Sequence, residues 1–144
     1  MARGYPDYFG QSIFPKYGGA KEVSGSKTVT ANTENTIVEV SGKGVLYSGG
    51  LYAQGSDKCK DDRVRIYIDN VSIVTISFTA LLTRGLVIVP NDIVTLTYYS
   101  DIEFKYHVSF LREVTFDEGF KITYEEKSGR TPTVSCGVRY ALIT

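Results

Sequence analysis

The segment IEFKYHVSF, Ile102 to Phe110, alternates apolar and polar side chains without a break. Ile102, Phe104, Tyr106, Val108 and Phe110 fall on one side; Glu103, Lys105, His107 and Ser109 fall on the other. A period of two predicts a strand with one buried face and one wet face. On a helix the same rings would scatter around the circumference.

The same period recurs along the chain. RVRIYID places Val64, Ile66 and Ile68 opposite Arg63, Arg65, Tyr67 and Asp69. Asp69-Asn70 then reads as a tight turn, because both residues tolerate positive φ, and VSIVTISFTA follows as the return strand. GFKITYEE and TVSCGVRYAL alternate too, with Val134, Cys136, Val138, Tyr140 and Leu142 inward in the second, and EKSGRTP between them predicts a C-terminal hairpin. Weaker strands are predicted at SKTVTA, TIVEVS, GVLYSGGLYAQ and DIVTLTYY, with a bulge or bend at Gly49-Gly50. LLTRGLVIVPND reads as a loop or short strand, and QGSDKCKDD as a charged surface loop. Eight to ten short strands predict an all-β fold, an antiparallel β-sandwich or barrel of jelly-roll-like form. Eleven Tyr, seven Phe and many Val, Ile and Thr agree with that class.

The length of 144 residues fits one domain with a proper core. Sixteen basic and sixteen acidic residues cancel, which argues against a nucleic-acid or polybasic membrane partner. No apolar run reaches the roughly 20 residues that span a bilayer. The N-terminus lacks the apolar region of a signal peptide, so the expected place of synthesis is a cytoplasm. Cys59 and Cys136 form no CxxC pair and read as two buried thiols.

Chemistry is hard to assemble from the rest. His107 is the one histidine, and nothing in sequence nominates a nucleophile or an orienting acid for it. Asp57, Asp61 and Asp62 are interleaved with Lys58, Lys60 and Arg63, which weakens a cation site. Asp117-Glu118 and Glu125-Glu126 flank turns, and no carboxylate pair can be placed across a cleft. SGKG at 41–44 lacks a strand–loop–helix setting and reads as a hairpin turn. Arg63, Arg65, Tyr67 and Arg139 suit a salt-bridged sheet face better than a nucleic-acid platform, given the neutral total charge. The expectation is no enzyme, no catalytic residue, no metal and no cofactor. Sugar stacking on Tyr47, Tyr52 or Tyr67 stays open as a carbohydrate- or receptor-binding alternative, although the chain has no Trp. A hydrolase would need a pocket with at least two convergent polar groups.

The opening segment behaves differently. GYPDYFGQSIFPKY carries Tyr5, Tyr8, Phe9, Phe14 and Tyr17 among prolines and glycines that break any period. Each ring is worth on the order of 1.5–3 kcal/mol when buried. The chain divides here into an arm, 1–19, and a body, 20–144. Either the arm caps an open end of its own core, or it reaches a neighbouring copy or another protein and is ordered on docking. Those five rings are the candidate partner-binding residues.

GYPDYFGQSIFPKYG at the start and VTFDEGFKITYEEKSGRTPTVSCGVRYALI at the end resemble small all-β virion structural proteins of tailed bacteriophages. The resemblance covers the first twenty and last thirty residues. It implies a non-enzymatic subunit of head-decoration or tail-associated type, often a homotrimer. Its partners would be copies of itself and a major capsid or tail protein, and its place the virion, assembled in the host cytoplasm. A cement protein that bridges capsomers is the leading expectation. Sparse Asn, Gln and Met add an expectation of thermostability.

Overall fold

Among the described residues, ten strands and one short α-helix follow one another: β1 Lys21–Thr28, β2 Glu34–Ser41, β3 Gly44–Gln54, β4 Arg63–Ile68, β5 Val71–Ser77, α1 Phe78–Arg84, β6 Val94–Ser100, β7 Lys105–Phe110, β8 Val114–Phe116, β9 Gly119–Glu125 and β10 Thr133–Leu142. The computed structural model describes residues 17–84, 93–110 and 112–143. A front sheet runs β1-β10-β3-β7-β6, with β8 also on β3, and a back sheet runs β2-β9-β4-β5. All pairings are antiparallel.

The pairs are nested. The first strand meets the last, the second the next to last, β3 meets β7 and β8, and β4 meets β5. Such a ribbon, folded so that its pairs alternate between two sheets, is a jelly roll. The β6–β7 hairpin widens the front sheet.

The core lies between the sheets. Leu51, Val108 and Phe110 from the front meet Val64, Ile66 and Ile122 from the back, all nearly inaccessible to water. Rings close both ends. At one, Phe78 of α1 packs on Tyr106 at 5.6 Å, and Tyr99 meets Tyr106 edge-on at 5.0 Å. At the other, Phe120 stands edge-on to Phe116 at 5.0 Å and to Tyr140 at 5.9 Å.

The Asp69-Asn70 turn is as expected, with φ of 52° and 66°, the left-handed pair that a two-residue hairpin needs. Several other expectations are corrected. The alternation from Ile102 is only half a strand, since β7 begins at Lys105. Ile102 is 91% exposed, and Phe104 has φ of 56°, which breaks the pleat before Lys105. Polar bonds hold this turn instead: Tyr106 donates to Asp101 at 2.6 Å, and Glu103 N–H to Ser100 Oγ at 3.0 Å.

The expected C-terminal hairpin does not exist, because β9 lies in the back sheet and β10 in the front. For the same reason residues 41–44 cross between sheets and do not close a hairpin. The break in β3 falls at Tyr47, skipped where Arg139 pairs Ser48 and Tyr140 pairs Leu46, while Gly49 and Gly50 pair without interruption. That shift brings Ala141 fully inside and leaves Tyr140 and Leu142 half-buried. Residues 78–84 form a helix that the strand reading missed. Ser77 Oγ accepts from Ala80 N–H at 3.1 Å, and Phe78 and Leu81 turn inward three residues apart.

Candidate functional site

Of the five candidate docking rings, Tyr5, Tyr8, Phe9 and Phe14 lie outside the described residues. Tyr17 is placed. It bridges Ile143, its ring is 38% exposed, and Gly18 N–H donates to Leu142 carbonyl at 2.7 Å. The last residues of the arm are thus stitched to the end of β10.

The expected charged surface loop is partly interior. Residues 57–61 form a single 3-10 turn that brings Asp62 to 1% exposure. Its carboxylate accepts from Tyr124 Oη at 2.6 Å and Lys127 N–H at 2.9 Å. Burial raises Asp62 to about 6, against the pull of those two donors. Glu126 is equally buried but accepts five bonds, from the N–H groups of Asn32, Ser128, Gly129 and Arg130 and from Ser128 Oγ. Burial alone would raise it; the donors outweigh burial and hold it down to about 2. These carboxylates tie loops together, with their lone pairs spent on the protein.

Cys59 and Cys136 are both free and buried, as expected. Burial pushes their thiols up to about 11 and about 12, so neither is a ready thiolate. Among the described residues no group of three His, Cys, Asp or Glu is placed to hold a metal.

The back sheet's outer face carries a network of its own contacts. Arg65 reaches Glu34 on β2 and Glu125 on β9. Tyr67 Oη donates to Glu34 at 2.9 Å, and Lys121 Nζ stands 4.7 Å from the centre of the Tyr67 ring. Thr123 lies buried beneath this layer, its hydroxyl unpartnered. Of the salt-bridged face expected from Arg63, Arg65, Tyr67 and Arg139, the part at Arg65 and Tyr67 is present, Arg63 lies exposed on the same strand, and Arg139 lies on the other sheet, paired with Glu22 at 2.6 Å. An open cavity of about 180 Å³ at this sheet's end includes Asp69, but that carboxylate is taken by the N–H groups of Asp117, Glu118 and Gly119.

The front sheet's outer face is built otherwise. Register aligns Ser26, Ser135, Tyr52, His107 and Tyr98 in one row across five strands. His107 stands between two rings, 5.2 Å from Tyr52 and 5.2 Å from Tyr98. Burial, and then Lys105, hold its imidazole below the ordinary range. The next row is Ser24, Gly137, Gly50, Ser109 and Thr95, without one large side chain. Two adjoining open cavities, of about 550 Å³ and about 370 Å³, share Ser24 and Gly137. The result is a shallow trough between a ring ridge and the Glu22–Arg139 pair. The tyrosines considered for sugar stacking do not converge, since Tyr52 faces out from the front sheet and Tyr67 from the back. Sequence reasoning missed Tyr98 and the small-residue row, because a row exists only once five strands are in register.

No protein-family model matches the chain, and no curated protein matches it. Its fold is similar to that of a chain in the acidic stable capsid structure of Helicobacter pylori bacteriophage KHP30, with a TM-score of 0.54 and 9% identity, over 89% of this chain and 91% of that one. At that identity the likeness is one of fold, and it spans nearly the whole length of both chains.

Proposed function

We propose that this chain is a structural protein of a bacteriophage particle, and within that role a cement protein of the head. In this reading it binds the capsid lattice through its N-terminal arm and through contacts between copies. The observation that carries it is the near end-to-end likeness in fold to a chain of a phage capsid. The interior chemistry agrees. The thiols are held protonated and the buried carboxylates are spent on loops, which suits a scaffold.

Two measurements test the reading. Mass spectrometry of purified particles from the source should find the chain in fixed proportion to the major capsid protein. Deleting residues 2–16 should abolish its incorporation while the isolated body still melts cooperatively. Absence from every particle sinks the proposal. Light scattering on the free protein should report a trimer.

A further inference from the structure

We infer that the trough on the front sheet receives the N-terminal arm, residues 1–16, of a second copy of this chain. The inference rests on the particle reading above and names the surface through which copies join.

The arm's starting point carries the argument. β1 runs from Lys21 toward Thr28 beside β10, and Ser24, on the trough floor, lies seven residues beyond Tyr17. That is about 23 Å along the strand. Tyr17, the first described residue, sits before the start of β1, where it bridges Ile143 just past the end of β10. Sixteen extended residues span up to about 55 Å, enough to cross a neighbour's five-stranded sheet. To dock on its own trough the arm would have to double back alongside β1.

The chemistry fits as well. The arm holds Tyr5, Tyr8, Phe9 and Phe14, which gain by leaving water. Among the described residues, rings already stand at the ends of its own core, Phe78 with Tyr106 at one and Phe116, Phe120 and Tyr140 at the other. The trough offers a floor of glycine and hydroxyl side chains with open volume above it. Its ridge of Tyr52, His107 and Tyr98 presents aromatic edges for them to pack on.

The full-length chain, with photoreactive benzoylphenylalanine at Phe9 or Phe14, tests this. Isotope-labelled and unlabelled copies are mixed, irradiated and mapped by mass spectrometry. Cross-links should join labelled to unlabelled chains and land in the segments holding Ser24, Gly50, Ser135 and Gly137. A β-carbon on Gly137 would meet only Ser24 Cβ, at 3.8 Å, so Gly137→Leu fills the trough without disturbing the core. It should cut the cross-link yield about tenfold or more, an overpacking effect of the usual size, with no loss of thermal stability. If Gly137→Leu melts early, Ser24→Leu, at an already exposed position, takes its place. Cross-links confined to one chain, landing elsewhere, absent, or indifferent to these fillings overturn the inference. The particle reading is scored separately. Particle-borne chains whose arms cross-link elsewhere sink the trough alone. Arm-to-trough links between copies of a chain absent from particles sink the particle reading alone.

Discussion

The two outer faces of this jelly roll use their polar groups in opposite ways. On the back face Arg65, Glu34, Glu125, Tyr67 and Lys121 partner one another, so charge and donors are consumed within the sheet. On the front face, hydrogen bonding within the outer rows is sparse, as in Ser135 to Ser26 at 2.7 Å, and the small residues leave room above the strands. A self-satisfied face gains little from a partner, because every new contact must displace an existing one. A face with open volume and half-exposed rings gains by being covered.

The comparison can be broken at several points. The largest effect is expected where both sheets depend on one group. Glu126 follows β9 and accepts N–H groups from the loop between β1 and β2 as well as from its own turn. Glu126→Ala leaves those donors facing each other and should cost roughly 2–4 kcal/mol in urea unfolding. A loss within experimental error would mean that water replaces the carboxylate and that the faces are joined by packing alone.

The pH profile comes next. Glu126 titrates at about 2 in the fold, below its ordinary 4.5. Its contribution is full above about 4.5 and is lost as pH falls through about 2. Asp62 is raised from 3.8 to about 6, so its contribution is full below 3.8 and is lost as pH rises through about 6. Stability should therefore peak near pH 4–5 and decline by on the order of 1–3 kcal/mol toward neutrality. Asp62→Asn should flatten the neutral side of the curve and leave the acid side. Unfolding midpoints measured from pH 3 to 8 decide it; a wild-type curve rising steadily to pH 7 contradicts the Asp62 assignment.

A smaller effect separates the faces directly. Arg65 is only 17% exposed in its side chain, so Arg65→Ala sets Glu34 and Glu125 beside each other and uncovers Thr123. A loss of about 1–2 kcal/mol, shrinking in high salt, is expected. The smallest is Gly137→Leu on the front face, which should move stability by under about 1 kcal/mol. Equal losses from these two variants would erase the distinction between the faces.

Much of the fold was legible because a pleated strand writes its burial into a two-residue period. β4, β9 and most of β10 are read off that way, as is the Asp69-Asn70 turn. The reading failed where a local signal competed with the period. Ile102 and Phe104 continue the alternation, yet a turn closed by Tyr106–Asp101 and Ser100–Glu103 claims them. Phe78 and Thr79 look like strand, yet the Ser77 cap starts a helix. It failed again at β9 and β10, where a short loop between two strands leads to opposite sheets.

By itself the sequence determined the all-β class, the positions of most strands and the presence of a ring-rich opening segment. These depend on side-chain period and composition, which are local. Only the tertiary structure decided which strands are neighbours, that Asp62 and Glu126 are interior, and that small residues from five strands align into one trough. Those outcomes depend on register between segments as far apart as Lys21 and Tyr140, set by collective packing of the core rather than by any one segment.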